Sequence, residues 1–300
     1  MLFNYLFKRP KVLPATSSED LVVHLLVMAW MGEARDPYTS GHLWRISRFA
    51  RLLAQSLGLK DEDVARISIG ALLHDLGKIA IPDSILKKPS QLTEEEYEVI
   101  KTSPEVGTRM LEGHPLNPLV KDTILSHHET PDQKGYPNQS SWDDVSLDAK
   151  IIGICVAFDA MTRARSYRSG MPISKALQII DENLGTQFDR TIGLHFLQLG
   201  KLVAFNHIVG HTDEDIPLHH CPQCGPTLVQ RKSDEEGAHI YCRNCSSEFV
   251  LEATANGLRP KATGKKGTAR DLEAEADTEL IQRLVNESAK HIELSVTPAY

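Results

Sequence analysis

Two groups of side chains in this 300-residue chain are able to do chemistry: a set of histidines and aspartates, and four cysteines. His74-Asp75 closes an apolar run and is followed by Leu-Gly-Lys78, and His127-His128 closes another run. His42 stands in line with Ile46, Phe49, Ala50 and Leu53 at helical spacing, so it faces a core rather than water. Neutral imidazole and carboxylate are common ligands for iron, manganese, zinc and nickel. Neighbouring residues on a helix point about 100° apart. His74 with Asp75, and His127 with His128, therefore reach two nearby ions with the aspartate between them. Two ions about 3.5–4 Å apart activate a water and clamp a phosphoryl group. Lys78, one turn on, is placed to hold a phosphate oxygen. A single histidine is ordinarily a core or surface residue, but a His-Asp pair, a His-His pair and an inward histidine at helix ends point to a shared centre.

Cys221, Cys224, Cys242 and Cys245 form C-x-x-C, seventeen intervening residues and C-x-x-C. Four thiolates at that spacing predict a tetrahedral zinc on two knuckles joined by a hairpin. Such a shell leaves no open position, so the zinc is structural. A thioredoxin-like pair would need a βαβ context that is absent. The module mixes Arg231, Lys232 and Arg243 with Asp234, Glu235, Glu236 and Glu248, which argues against nucleic acid and leaves a protein partner as its occupant. Cys155, in an apolar run, reads as a buried core residue.

Helices must place the histidines. Ser17 or Ser18 caps a first helix, Thr39 or Ser40 precedes a second that stops at Gly58, and Asp61 opens a third through Val64, Ile67 and Leu72 to Gly77. Thr93 with Glu96 forms a capping box. Further helices fit 146–165, 173–184 and 189–205. The organisation expected is a 1–16 extension, an all-α domain over 17–206, a four-cysteine ribbon over 217–252, a Gly/Lys/Ala linker over 253–270, and a C-terminal helix and tail over 271–300. Leu280, Ile281, Leu284 and Val285 form a stripe on that last helix, able to pack on the body or on a protein partner.

The composition, 41% hydrophobic and 24% charged, excludes collagen-like, coiled-coil and largely disordered chains. A net charge of −7 argues against a general nucleic-acid coat. No apolar run approaches the length that spans a bilayer. Apolar residues precede basic ones at the N-terminus, the reverse of a secretory signal, so a cytoplasmic location is expected.

His42 in "YTSGH", "HDLGK" at 74–78, "IPDSILKKP" at 81–89, "HHE" at 127–129, "GYP" at 135–137, "DAMT" at 159–162, "RSYR" at 165–168 and "GTQFD" at 185–189 resemble the HD-GYP branch of the HD-domain metal-dependent phosphohydrolases. The resemblance covers about residues 20–205, with the motifs in order. It implies an all-α HD-domain bundle, a two- or three-ion iron or manganese centre, of which up to two ions are expected in this chain, and hydrolysis of cyclic di-GMP or a related cyclic dinucleotide in bacterial signalling. It makes His42, His74, Asp75, His127 and His128 metal ligands, with Asp75 and Lys78 at the reaction. Lys78, Arg165 and Arg168 match positions that hold substrate phosphates, and Tyr136 matches the tyrosine of the loop. The chain departs from the pattern where metal is held. Ser103 stands in place of a histidine, Val156 in place of an aspartate, Gln133 at a loop glycine, and Tyr38 where three-metal members carry a glutamate. A weakened phosphodiesterase is thus expected, and the alternative is an inactive descendant that binds a nucleotide or protein partner.

Overall fold

The computed structural model describes residues 17–88, 90–164 and 170–292 of the chain. The 1–16 extension and the phosphate-holding expectation for Arg165 and Arg168 lie outside the described residues.

The helical part runs α1 (Ser18–Glu33), α2 (His42–Ser56), α3 (Asp61–Leu73), α4 (Asp83–Leu86), α5 (Glu94–Lys101), α6 (Ser103–Met110), α7 (Asn117–Ser126), α8 (Leu147–Thr162), α9 (Ile173–Glu182) and α10 (Arg190–Lys201). Short 3₁₀ turns occupy Pro37–Thr39 and Leu76–Ala80. The expected caps form. Ser17 and Asp20 satisfy each other's backbone N–H at the start of α1, and Thr93 and Glu96 do the same at α5. The third helix is shorter than expected, stopping at Leu73 before His74. The reason is local. A Cβ on Gly77 would lie 1.9 Å from the Ser103 carbonyl oxygen, so α6 presses directly on the backbone there. Only glycine permits that approach, and it fixes the turn carrying His74, Asp75 and Lys78.

One core joins these helices. Leu26, Ile46, Phe49, Ile67, Ile151, Phe158, Phe196 and Phe205 are fully buried in it. Phe49, Phe158, Phe196 and Phe205 meet edge-on or tilted, with ring centroids 4.6–5.3 Å apart. Each such side chain contributes roughly 1.5–3 kcal/mol by leaving water. The all-α bundle that the motifs imply is the architecture observed over the helical part.

After the helices the chain forms antiparallel pairs: β1 (His211–Asp213) with β2 (Ile216–Pro217), β3 (His219–Cys221) with β4 (Gly225–Leu228), and a sheet ordered β5 (His239–Tyr241), β6 (Ser247–Thr254), β7 (Gly257–Lys266). The linker expected over 253–270 is corrected by β7, which pairs with β6 from Thr254↔Gly257 to Ser247↔Lys266. Leu258 packs on a second small core of Leu228, Ile240, Phe249 and Leu251. The C-terminal helix is α11 (Thr278–Ala289), beginning later than the expected 271. Its stripe of Leu280, Ile281, Leu284 and Val285 is buried in the main core against α1 and α3. That face is therefore unavailable to a protein partner. Among the described residues no helix is long and apolar enough to cross a membrane.

Candidate functional site

His42 is the first residue of α2, and the chain turns into it through Gly41 at φ 73. A side chain at Gly41 would lie 2.7 Å from Thr212 Cα, so the position requires glycine twice over. The Glu33 carboxylate accepts the N–H groups of Gly41 and Leu43 at 2.7 and 2.8 Å and caps the helix from a distance. His42 Nδ1 lies 2.7 Å from Asp159 Oδ2, and Asp159 is also paired with Arg45 Nε at 2.5 Å. Both members of that ion pair are buried, Arg45 at 2% exposure and Asp159 at 1%. Burial works against the charge of Asp159, but Arg45 and the His42 hydrogen bond outweigh it and hold the carboxyl well below the usual range. A carboxylate has no proton to give, so His42 Nδ1 donates and Nε2 keeps its lone pair.

The same logic sets the other rings. His74 Nδ1 lies 2.7 Å from the Ala71 carbonyl, and His127 Nδ1 lies 3.1 and 3.0 Å from the carbonyls of Thr123 and Ile124. Carbonyls only accept, so both Nδ1 atoms donate and both Nε2 atoms are left as acceptors. Burial pushes His127 down to about 3 and His128 well below the ordinary imidazole value, which keeps both rings neutral.

Asp75 lies between the two groups. The ligand atoms of His42, His74 and Asp75 lie within 4.8 Å of one another, as do those of Asp75, His127 and His128. Asp75 Oδ2 is 3.5 Å from His42 Nε2 and 3.4 Å from His74 Nε2. Burial disfavours its charge, yet the Lys78 ammonium beside it holds its carboxyl well below the usual range. His74 Nε2 and His127 Nε2 are buried and have no hydrogen-bond partner among the described residues. Two orphaned lone pairs beside a shared buried carboxylate fit divalent cations, and the donor set of nitrogen and oxygen suits iron, manganese or zinc. The five residues singled out in the sequence as ligands are thus brought together.

Two cavities of 220 and 310 Å³ flank this cluster and share His42, Lys78, Tyr97, Ile100 and Arg163 in their walls. Lys78 Nζ donates to Asp75 Oδ2 at 2.7 Å. Tyr136 stacks on His128 with centroids 4.4 Å apart and planes 23° from parallel. A Cβ at Gly135 would be 2.3 Å from the His128 carbonyl oxygen, so the loop packs directly on the backbone of His128. Gln133, where the motif has glycine, holds φ 57, the left-handed region that costs a non-glycine residue about 1 kcal/mol. Val156 lines the larger cavity beside His127 and His128. Ser103 is buried at the α6–Gly77 contact and lines neither cavity.

Sequence reasoning gave no role to four residues at this site: Arg45, Asp159, Glu129 and Arg163. Asp159 and Glu129 stand in the quoted motifs "DAMT" and "HHE", and Arg45 follows His42 by three positions and so shares its face. Glu129 is buried, and its carboxylate accepts the N–H groups of Asn138 and Ser140 at 2.8 and 3.1 Å, tying down the loop that carries Tyr136. Glu129→Ala strands both donors. It is expected to cost about 1–3 kcal/mol in denaturant unfolding, and an unchanged midpoint would show that the loop is held by other contacts.

Cys221, Cys224, Cys242 and Cys245 bring their sulfurs within 4.8 Å of one another across the β3–β4 and β5–β6 turns.

The HD domain family matches residues 27–192 of the chain. The chain is 40% identical over 159 residues to the cyclic di-GMP phosphodiesterase response regulator RpfG of Xanthomonas campestris, covering 52% of this chain and 42% of that protein. It is 35% identical to the 3'3'-cGAMP-specific phosphodiesterase 3 of Vibrio cholerae, covering 57% of this chain and 38% of the relative. To a cyclic di-GMP phosphodiesterase of Thermotoga maritima it is 33% identical, covering 63% of this chain and 52% of the relative. The chain thus spans about half or less of the length of these relatives.

Proposed function

The chain belongs to the HD domain family, and from its site we propose that the helical domain is a metal-dependent phosphodiesterase for cyclic dinucleotides, of the HD-GYP type, with weakened metal ligation. The observation that carries this reading is the pair of orphaned Nε2 atoms, on His74 and His127, beside the shared Asp75. Relatives named for cyclic di-GMP and 3'3'-cGAMP support that substrate class.

His42, His74 and Asp75 would hold one ion and Asp75, His127 and His128 a second, and such ions, when bound, supply Lewis acidity toward a phosphoryl oxygen and lower the pKa of water. The protein's own residues do the rest. Asp159 and the carbonyls of Ala71, Thr123 and Ile124 fix the tautomers of the ligating rings. Such partners orient ligands, and losing one typically costs roughly 10–100-fold. Lys78 and Arg163, in the walls of both cavities, neutralise phosphate charge. Tyr136 and Tyr97, which meet edge-on with centroids 6.3 Å apart, offer aromatic surface to a base. Four thiolates in the C-terminal module would hold one structural zinc.

Val156 supports a second reading, a binder without turnover. It puts a branched apolar side chain in the cavity wall where the family pattern has an anionic ligand.

Metal analysis of the purified chain, followed by incubation with cyclic di-GMP and 3'3'-cGAMP, decides between them. The expected result is sub-stoichiometric metal in the helical domain and slow cleavage that rises with excess manganese or iron. Val156→Asp is expected to raise both the retained metal and the rate, and Ser103→His to add less, because Ser103 sits in the tight α6–Gly77 contact. Binding without cleavage at any metal concentration would establish the second reading. Neither binding nor cleavage would overturn both.

A further inference from the structure

The four-cysteine module meets the wall of the 220 Å³ cavity at the Pro37–Thr39 turn, which both β4 and the Cys242–Cys245 knuckle approach. Asn244, between Cys242 and Cys245, donates from Nδ2 to Tyr38 Oη at 2.9 Å. Its neighbour Arg243 reaches the Ala34 carbonyl at 3.4 Å and the Glu273 carbonyl at 3.2 Å. Tyr38 stands in the 3₁₀ turn that leads through Gly41 into His42. It lines the 220 Å³ cavity together with His42, Asp75 and Lys78. One hydrogen bond therefore links a knuckle to the wall of the site and to the segment that delivers its first histidine.

The shape of that knuckle depends on what holds the cysteines. The turn is tight: Ser246 N–H donates to the Cys242 carbonyl at 2.8 Å, and Ser246 sits at φ 61. All four thiols are free of disulfides. Cys221 Sγ lies 3.6 Å from Cys245 Sγ, a contact that supplies at most a weak S–H bond. Thr227 Oγ1 and Ser247 Oγ add weak sulfur contacts at 3.2 and 3.3 Å, so a shared cation would be the strong tie among the four sulfurs. Binding of such an ion is folding free energy for a module whose own core is small.

Resting on the phosphodiesterase reading for what the cavity binds, we propose that the four-cysteine site is a positioning element of that cavity. With its metal bound, the Cys242–Cys245 knuckle presents Asn244 to Tyr38 and holds the Pro37–Thr39 turn and the entry into α2. Without the metal the knuckle loosens, Tyr38 is released, and the cavity loses part of its wall. Metal supply to the cysteines thereby sets affinity at a site built from histidines.

The test uses the full chain, its Asn244→Ala variant, and the unmodified chain stripped of zinc by a chelator and then reloaded with Zn²⁺. Zinc content, amide hydrogen exchange over residues 34–43 and calorimetric titration with cyclic di-GMP are measured on each. Asn244→Ala is expected to keep its zinc, because it leaves the four thiols intact. Exchange over 34–43 should nevertheless be several-fold faster, and cyclic di-GMP should bind about five-fold more weakly, the size of one lost hydrogen bond. Stripping should do at least as much, and reloading should reverse it. Unchanged exchange over 34–43 in Asn244→Ala and in the stripped chain would overturn the proposal, as would unchanged affinity in Asn244→Ala. Failure of the unmodified chain to bind cyclic di-GMP would instead count against the substrate reading, since the exchange measurement reads the coupling without ligand.

Discussion

Asp75→Asn is expected to strip the helical domain of metal and to lower phosphodiester cleavage by about 10³-fold or more. The size follows from sharing. Loss of one partner behind a ligand costs roughly 10–100-fold, whereas Asp75 itself is common to both candidate triads, so both ions lose a direct ligand at once. An asparagine keeps the volume and one oxygen but not the charge, and a neutral amide cannot serve two cations. The variant should fold. Burial keeps His127 neutral, and Lys78, which donates to Asp75 Oδ2 at 2.7 Å, is partly exposed and can turn to water when the carboxylate is removed. Far-UV circular dichroism, metal analysis and product formation from cyclic di-GMP check this together. Native circular dichroism with wild-type metal content would rule out Asp75 as the shared ligand.

The histidine–aspartate cluster was legible in the sequence because helical period and residue type coincide there. His42 lies on the apolar face of its helix, and the His74-Asp75 and His127-His128 pairs stand at helix ends. What was not legible depends on contacts between distant segments. Asp159 meets His42 across 117 positions of chain, and no local pattern announces that pairing. The segment over 253–270 reads as a linker because Gly264, Lys265, Lys266 and Gly267 dilute its apolar content. Its strand is set by the partner instead: Val250 opposite Lys261 and Ala253 opposite Leu258 extend a hairpin that β6 begins. The stripe on α11 was visible, but its destination was not, because periodicity identifies a buried face without naming what covers it. Ser103 and Val156 were read as equivalent losses. The structure separates them, since Val156 lines the cavity and Ser103 is packed against Gly77.

Asp159→Ala is expected to destabilise the helical domain by about 3–5 kcal/mol, the usual cost of leaving a buried charge unpaired. Arg45 would keep its hydrogen bonds to the Ser40 and His211 carbonyls, each 2.9 Å long, but no carboxylate would remain to balance its charge. The sign of the acid dependence follows from the depressed carboxyl. Asp159 contributes stability above the unfolded aspartate value of about 3.9, and that contribution is lost as the pH falls through the lower folded value. The gap between wild type and variant should accordingly be full at neutral pH and narrow only in strong acid. A double change separates the structural role from the metal role. Arg45→Met with Asp159→Leu removes both charges and refills the volume, an exchange that is often neutral or stabilising. It should restore most of the lost stability in denaturant titrations. Metal retention should stay low, because His42 Nδ1 would still lack the acceptor that turns Nε2 toward Asp75. Recovery of metal along with stability would mean that Asp159 matters only as the counter-ion of Arg45, and that the orientation of His42 is set by the cap at Glu33 and Gly41.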